Sequence, residues 1–354
     1  MLKLKDSDRP IVDGIADLLD GAGGLKRVRR VQSAPMTLDR DIWAKLAEFG
    51  WLGAAVPEEQ GGVGLGVREI MLLLEHAGMR LMPEPLVPAL AASVILARCG
   101  KPAASLLSAV IAGTSICIPV ETALTEKSGK LDGVTASLSE AYAGDVFLVP
   151  VDVGGTIKAV VVAHDTTGLS LENQPTVDGG ALTRLRFIGV DLSNLPVLAT
   201  GAVAEEAFAE ARDLTRRGYA AMLTGLMDAA LEMTVQYMKD RKQFGVPIGT
   251  FQALQHRAAS LSMLLHTSRA LLHESCRAVG PRRPIAALVA KSYISDSAMQ
   301  TVKECVQMHG AMGYTAEHDM SLFFRRAMAL SVAGGDAMSC RKQLHAERQR
   351  LQDF

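Results

Sequence analysis

The pattern of apolar and polar residues divides the chain into three parts. From position 11 to about 111, apolar residues recur at the helical spacing i, i+3, i+4, as in the run from Asp41 to Phe49. Gly50 follows that run and suits a helix C-terminal cap. After Ala202 the helical spacing returns and continues to the end of the sequence, with one clear break at 280–284. The pattern therefore predicts helical regions at both ends of the chain.

The middle part has a different pattern. Short runs rich in β-branched residues alternate there with Gly, Asp and Asn, which is typical of strands joined by turns. The runs lie at 116–120, 146–152, 157–164, 169–171 and 182–190. We predict an α+β protein with an N-terminal helical domain at 1–113, a small middle domain with an antiparallel β-sheet at 114–200, and a C-terminal helical domain at 201–354.

Composition supports this organisation and argues against several classes of partner. The 354 residues suffice for two or three domains, and the combination of 49% hydrophobic with only 5% aromatic residues favours helices packed on helices. The net charge of −1 gives no electrostatic reason to expect nucleic acid or a membrane surface as partner. The 5 cysteines show neither a CxxC pair nor a His/Cys metal spacing, which indicates reduced thiols and no metal site.

The sequence shows no sign of a targeting or membrane segment. The stretch from Met1 to Asp8 is polar and lacks the apolar run of a signal peptide. The longest apolar runs, such as 86–97 with its Pro88, are shorter than a membrane span. We therefore expect a soluble, cytoplasmic protein.

Two short segments in the C-terminal part carry candidate chemistry. The first, here called the arginine segment, runs from Arg241 to Gln252 and places an arginine, the aromatic Phe244 and a glycine bend at Gly245 behind a long helix. A guanidinium group pairs with phosphate in a forked geometry, so this set suits an anionic ligand with a planar ring. Alternatively, Arg241 is a cation that complements the dipole at a helix end, and Gln252 is a surface amide.

The second, here called the glutamine segment, runs from Gln307 to Tyr314. It places a glutamine beside a turn of small residues that includes Gly310 and Ala311. Backbone N–H groups can approach a ligand closely at such a turn. The glycine also suits a helix C-terminal cap, and the two interpretations are compatible. His309 is best explained as a packing residue.

These two segments, in this order and at this separation, resemble the C-terminal half of the flavin-dependent acyl-CoA dehydrogenase family. The glycine-rich stretch 56–66 resembles a segment of the family's N-terminal helical domain, and the helix–sheet–helix order is similar throughout. The resemblance implies a C-terminal domain like a four-helix bundle and FAD as the cofactor. The residues implied to contact the ADP part of FAD bound to a neighbouring subunit are Arg241, Phe244, Gln252, Gln307, Gly310 and Ala311, the last in place of a family glycine.

The resemblance also implies α,β-dehydrogenation of an acyl-CoA thioester, in which a glutamate abstracts the α-proton. The family places this base at one of two positions. Here the first is occupied by Gly334, and the second lies beside Arg216 in a Leu-Thr-Arg run. Neither position has a carboxylate, so the catalytic residues stay unknown. Two weak candidates remain, namely Asp336 and Arg216.

Each candidate has a competing explanation. Asp336, two residues after Gly334, could be the base, a helix cap, or a contact to the ribityl chain of FAD. Arg216 could orient a substrate or a base, or it could belong to a solvated basic helix face with Arg212 and Arg217. The polar loop 317–319 is expected to face solvent.

The middle domain departs from the family pattern. The stretch 124–129 is followed directly by 130–133, and the sequence has no tryptophan after Trp51. A block that the family places against the flavin ring is therefore expected to be shortened. The apolar run 222–231 lies on more than one helix face and suggests a partner surface.

Three hypotheses follow from the resemblance. The chain could be the short subunit of a hetero-oligomer that completes the FAD site of a longer acyl-CoA dehydrogenase chain. Such short chains occur in bacterial enzymes of α2β2 type that act on steroid side-chain or bulky acyl-CoA thioesters. It could instead be a self-sufficient homo-oligomer with an unusual base, or a non-catalytic scaffold subunit. The family also implies an electron-transfer flavoprotein, or a similar acceptor, as the redox partner.

Overall fold

The computed structural model describes residues 5–352, and the side chains of 5–350. The chain forms two compact units. Within the described range, the first comprises the residues up to Ser33, Met71–Met82 and the residues from Arg216 onward. We call it the bundle unit. The second comprises Ala34–Ile70 and Pro83–Thr215 and is called the sheet unit. The three-domain division at 1–113, 114–200 and 201–354 stays a prediction.

The first six helices occupy the region that the helical spacing predicts, although the first begins two residues before it. Their bounds are α1 Arg9–Gly21, α2 Gly24–Ser33, α3 Arg40–Glu48, α4 Val67–Met79, α5 Leu86–Cys99 and α6 Ala104–Ile111. Gly50 adopts a left-handed backbone (φ 74°) just after α3, as the capping prediction requires. Pro88 lies in the first turn of α5, where no backbone donor is lost, and nearly all of that helix is buried.

The middle of the chain forms a nine-stranded sheet within the described residues. The strands are β1 Cys117–Pro119, β2 Leu124–Lys127, β3 Lys130–Val134, β4 Leu138–Ser139, β5 Val146–Val153, β6 Thr156–Ala163, β7 Leu169–Pro175, β8 Ala181–Asp191 and β9 Val197–Thr200. The prediction of an antiparallel sheet is wrong for two strand pairs, because β1 and β2 both pair with β5 in parallel. Three short strands and a turn separate β1 from β5, which gives the chain room to return and run in the same direction.

The stretch expected to be shortened forms a tight hairpin. Strands β2 and β3 pair from Glu126 with Leu131 to Lys127 with Lys130, so only two residues form the turn. Ser128 and Gly129 adopt left-handed conformations (φ 52° and 78°), as a type I′ hairpin turn requires. No residues remain between these strands for an additional loop.

The C-terminal part is helical and centred on one long helix. Its elements are α7 Ala202–Asp240, β10 Lys242–Gln243, β11 Val246–Pro247, α8 Gln252–Arg277, α9 Arg282–His309, α10 Ala311–Tyr314, α11 Met320–Val332 and α12 Ala337–Gln352. Helix α9 packs against α8, α11 and α12. The predicted break at 280–284 coincides with the start of α9.

The apolar run on α7 is covered by this chain itself. Met222, Leu223, Leu226, Met227 and Ala230 are all at most 2% exposed. The inference that this run needs a partner surface is therefore wrong. It failed because neighbouring helices of the same chain surround α7. Large apolar side chains are instead exposed at Phe244, Met263 and Tyr314.

A buried charge cluster joins three helices of the bundle unit. The Nε of Arg269 on α8 donates to Oε1 of Glu75 on α4 at 2.7 Å. Its Nη2 donates to Oδ2 of Asp228 on α7 at 2.5 Å. Burial raises the pKa of Glu75, although Arg269 opposes the shift. The sequence pattern did not predict this cluster.

The cysteines are free, as predicted, and four of the five are buried. Burial raises the pKa of Cys99 to about 11 and that of Cys305 to about 11. Among the described residues, no group of His, Cys, Asp and Glu is arranged to hold a metal ion. Across the described helices, none has the length and apolar character needed to cross a membrane.

Candidate flavin and substrate site

The arginine segment is a short hairpin at the end of α7. The N–H of Arg241 donates to the carbonyl of Tyr237 at 2.8 Å, and its own carbonyl accepts from the N–H of Ile248 at 2.8 Å. Strands β10 and β11 pair antiparallel between these contacts. Phe244 and Gly245 form the two-residue turn, with φ values of 54° and 82°. The segment is therefore held firmly by its backbone.

Phe244 at the tip of this hairpin is exposed and strained. It is 92% exposed, and its ring meets that of Phe251 edge-on with the centroids 6.2 Å apart. A left-handed backbone is unfavourable for a residue with a large side chain. Strain of this kind clusters at functional sites. An exposed aromatic ring in such a conformation favours a site that another molecule covers.

The glutamine segment ends α9 and turns into α10. Gly310 has a φ of 63°, and its N–H donates to the carbonyl of Gln307 at 3.1 Å. A Cβ on Gly313 would lie 2.6 Å from the carbonyl oxygen of Val306, so only glycine lets α10 lie this close to α9. The side chains of Gln307 and Ala311 are exposed. The predicted glycine cap and an open turn thus occur together.

The two segments meet at the same end of the bundle unit. The ring of Tyr237, one turn before Arg241, stacks on that of His309 with the centroids 4.5 Å apart. The Tyr237 hydroxyl also donates to the carbonyl of His309 at 3.4 Å. The sequence predicted both segments, and this aromatic contact places them side by side.

His309 packs in the interior, as predicted. Its Nδ1 lies 2.8 Å from the carbonyl oxygen of Cys305, and because a carbonyl can only accept, Nδ1 carries the proton. Among the described residues, its Nε2 has no hydrogen-bond partner. Burial lowers the pKa of His309, and the nearby ring of His318 adds to the shift. Both the lowered pKa and the unpartnered Nε2 favour the neutral form of His309.

The loop 317–319 is only partly solvent-facing. Glu317 is exposed, but His318 and Asp319 are half-buried. Nη2 of Arg29 binds Oδ1 of Asp319 at 2.7 Å, and Nδ1 of His318 accepts from the N–H of Met320 at 3.1 Å. The prediction of a solvent-facing loop is wrong for His318, whose ring packs against those of Tyr237 and His309. The Asp319 side chain remains 44% exposed beside Arg29 of α2.

The exposed donors of both segments suit a diphosphate. Within residues 5–350, the Arg241 guanidinium has no hydrogen bond or ion pair, and neither do the side-chain amides of Gln252 and Gln307. An exposed cation beside free donors and an aromatic ring matches the chemistry of a nucleotide diphosphate. These residues therefore fit the ADP part of FAD.

The two weak catalytic candidates are linked through the start of α12. Oδ1 of Asp336 accepts from the N–H of Ser339 at 2.7 Å, which makes Asp336 the N-cap of that helix. Nη2 of Arg216 donates to Oε1 of Gln343 at 2.5 Å, and Nε2 of Gln343 donates to Oγ of Ser339 at 3.3 Å. Gln343 was not predicted, because nothing in the sequence connects α7 with α12.

Arg216 does not belong to a solvated helix face. It is 8% exposed and Arg217 is 4% exposed, while Arg212 is half-buried. That alternative is wrong, because the part of α7 that carries Arg216 and Arg217 is covered on all sides. The other interpretation, in which Arg216 orients a substrate or a base, is compatible with this burial.

Comparison with known proteins identifies the family of the chain. The family model "Acyl-CoA dehydrogenase, N-terminal domain" matches residues 22–113, and "Acyl-CoA dehydrogenase, C-terminal domain" matches 203–347. Acyl-CoA dehydrogenase IpdE2 of Mycolicibacterium smegmatis is 28% identical, over 94% of this chain and 96% of the relative. Acyl-CoA dehydrogenase FadE34 of Mycobacterium tuberculosis is 30% identical, over 81% of this chain and 39% of the relative.

Solved structures show the same fold. A chain of the Tcur3481–Tcur3483 steroid ACAD superposes with a TM-score of 0.87 at 25% identity, covering 99% of both chains. A chain of the ChsE4–ChsE5 complex of Mycobacterium tuberculosis superposes with a TM-score of 0.86 at 22% identity, covering 98% of both. The two family models together span most of the sequence. The chain belongs to the acyl-CoA dehydrogenase family, flavoprotein oxidoreductases that act on CH–CH groups.

Proposed function

We propose that this chain is the short subunit of a hetero-oligomeric acyl-CoA dehydrogenase. Its arginine and glutamine segments would complete the FAD site of a longer partner chain, which would supply the catalytic base. An electron-transferring flavoprotein or a similar protein would accept the electrons. One observation supports the proposal most strongly. The side-chain donors of Arg241 and Gln307 have no partner among the described residues, while neither base position of the family holds a carboxylate in this chain.

The chemistry of the reaction explains why the missing base matters. The α-C–H bond of a thioester is a weak acid, so its proton leaves only when a carboxylate is positioned beside it and the carbonyl is polarised. Bound FAD supplies the acceptor for the β-hydride. In this chain, one oxygen of the Asp336 carboxylate is committed to the backbone of α12. The other candidate residues of this chain are suited to binding a ligand and orienting it.

Names of the similar proteins support the assembly and the substrate class. Two of the superposed structures are named as pairs of chains, Tcur3481–Tcur3483 and ChsE4–ChsE5, and the first is named as a steroid enzyme. This chain matches one member of each pair along nearly its whole length. A bulky acyl-CoA thioester, such as one derived from a steroid, is the substrate class that we propose.

A homo-oligomer with Asp336 as its base is the second candidate. The link from Asp336 through Ser339 and Gln343 to Arg216 favours it, because it joins a carboxylate to a buried arginine near the family's base position. A non-catalytic scaffold is the third candidate. It would leave the open donors around Arg241 without a ligand.

Asp336→Asn separates these candidates. If the base belongs to a partner, this change in the short chain should leave turnover of the flavin-loaded complex within a few-fold, because asparagine still caps α12. If Asp336 is the base, the same change removes proton abstraction and should lower kcat by roughly 10²-fold or more. The rate of flavin reduction in a single turnover with an acyl-CoA thioester measures the dehydrogenation step directly.

Two controls separate an effect on catalysis from effects on flavin binding and stability. Flavin content must be equal in both complexes, since the resemblance also allows a contact between Asp336 and FAD. Asp336→Ala should in addition lower the free energy of unfolding by about 1 kcal/mol through loss of the cap, which identifies the structural share of any effect. A large loss of kcat in Asp336→Asn at full flavin occupancy would support the homo-oligomer.

A further inference from the structure

Three aromatic rings form a cluster where the arginine and glutamine segments meet. Tyr237 belongs to α7, His309 is the last residue of α9, and His318 lies in the loop before α11. The ring centroids of His309 and His318 are 4.7 Å apart, and the ring of Tyr237 meets that of His318 edge-on at 6.4 Å. Tyr237 also stacks on His309, so each ring contacts the other two. We call these three residues the ring cluster.

The ring cluster is tied through the backbone to both segments. The carbonyl of Tyr237 accepts from the N–H of Arg241 at 2.8 Å and fixes the start of the arginine segment. The carbonyl of His309 accepts from the Tyr237 hydroxyl at 3.4 Å, and His309 itself belongs to the glutamine segment. The position of one segment relative to the other therefore depends on the contact between Tyr237 and His309.

The surroundings of His309 suit a neutral imidazole and disfavour a cation. His309 is 2% exposed, and its Nδ1 already donates to the carbonyl of Cys305 at 2.8 Å. A proton added to Nε2 would have no acceptor among the described residues, and the charge would lie beside the ring of His318. Burial lowers the pKa of His309, and His318 lowers it further. The stabilising contribution of neutral His309 is therefore fully present above its usual pKa of 6.5 and is lost as the pH falls through the lowered pKa.

Charged groups around the ring cluster offer no compensation for a proton on His309, as far as residues 5–350 are concerned. Cys305, which faces it on α9, stays a thiol because burial raises its pKa to about 11. Tyr237 contributes its ring and hydroxyl from α7. The acidic side chains within five residues of a cluster member are ion-paired or exposed, namely Glu304 with Arg257, Asp319 with Arg29, and the exposed Glu232, Asp240 and Glu317. The cations in the same stretches are exposed and would oppose the proton, namely Lys239, Arg241 and Lys242.

We propose that His309 is a positioning residue for the two segments and that it acts only in its neutral form. While neutral, it stacks with Tyr237 and holds the arginine and glutamine segments at the separation that one ligand can bridge. Once protonated, it leaves the stack and the segments separate. Affinity for the ligand then falls, because only the closed fraction of the chain can bind. The identity of the ligand as FAD rests on the function proposed above, whereas the response of the ring cluster to pH does not.

Amide hydrogen exchange of the full-length chain at pH 7.5 and pH 5 tests the ring cluster without any ligand. After correction for the intrinsic effect of pH on exchange, the amides of residues 310–320 should open about tenfold more for each pH unit below the pKa of His309. His309→Phe keeps a stacking ring that cannot gain a proton, so its protection should be equal at both pH values. His309→Gln, which also cannot gain a proton, should likewise show no difference. His345→Phe is the matched control, since it removes an exposed histidine on α12 and should respond to pH like the unaltered chain.

Flavin binding in the complex with a longer chain tests the positioning role. The dissociation constant of FAD should rise between pH 7.5 and pH 5 in the unaltered complex and in His345→Phe, but far less in His309→Phe. Exchange that is equal at both pH values in the unaltered chain would overturn the proposal, and so would an equal response of the unaltered chain and His309→Phe.

Two further outcomes separate this proposal from the proposed function. If Arg241→Ala weakens FAD binding, opening of the ring cluster without a change in FAD affinity would show that His309 does not position the segments. Unchanged FAD affinity in Arg241→Ala at pH 7.5 would instead count against the proposed function, and hydrogen exchange would still decide whether the ring cluster responds to pH.

Discussion

Replacing Arg269 by methionine is expected to lower the free energy of unfolding by about 3–5 kcal/mol, because it leaves a buried carboxylate without its cation. Glu75 has a side chain only 5% exposed, and Arg269 has one only 10% exposed. Methionine has a similar length, so little packing is lost. Urea denaturation followed by circular dichroism measures the change. Arg257→Met is the matched control, since its pair with Glu304 is more than a third exposed and is worth at most about 1 kcal/mol.

The loss of unfolding free energy in Arg269→Met should be larger at neutral pH than at acidic pH. Burial raises the pKa of Glu75 above its usual 4.5, so the folded state binds this proton more tightly than the unfolded state. The contribution of Glu75 to stability is therefore fully present below that usual value and is lost as the pH rises through the raised pKa. Arg269 opposes the shift, so its removal should increase the loss between acidic and neutral pH.

Combining Glu75→Gln with Arg269→Met tests this explanation. The double variant carries no buried carboxylate at position 75, so it should be more stable than Arg269→Met at neutral pH and should lose the added pH dependence. Equal stability of the two variants at neutral pH would show that the cluster does not act through the charge of Glu75.

Replacing Arg241 by alanine in the complex with a longer chain is expected to weaken FAD binding by about ten- to a hundredfold. The change removes a forked contact to a diphosphate, and a hydrogen bond to a charged group contributes about 1.5–3 kcal/mol. The side chain of Arg241 has no partner among the described residues, so the folded chain itself should be unaffected. Flavin released on dilution and detected by its fluorescence gives the dissociation constant.

The matched control is Arg282→Ala, which removes another exposed arginine without a partner among the described residues, at the start of α9. Its complex should retain flavin like the unaltered protein. Equal flavin affinity in Arg241→Ala and the unaltered complex would show that the arginine segment does not contact the cofactor, and would favour the scaffold hypothesis.

Local patterns were sufficient to predict the helices and the longer strands. Gly50 ended α3 where its position indicated, and β5, β6 and β8 coincide with β-branched runs. Strands β2, β3, β4 and β9 were missed. Each has at most five residues, and β2 and β3 carry lysines at a hairpin turn, so neither shows a clear alternation.

Contacts between distant parts of the sequence could not be predicted. Arg269 lies 194 residues from Glu75, and Arg216 lies 127 residues from Gln343. No spacing rule connects such positions, and only the packing of α4, α7, α8 and α12 brings them together. The same reason explains why α7 was mistaken for a surface that needs another subunit. The arginine and glutamine segments could be proposed from the sequence because each is continuous.

The flavin content of the chain purified alone, compared with that of the chain co-expressed with a longer acyl-CoA dehydrogenase chain, tests the central claim most directly. The visible absorbance of flavin relative to protein gives the stoichiometry in each case. We expect substoichiometric FAD or none in the lone chain, because a tight hairpin of β2 and β3 lies where the resemblance implies a longer block against the flavin ring. We expect a flavin-loaded complex with the partner. Equimolar FAD in the lone chain would contradict the account and favour a self-sufficient homo-oligomer.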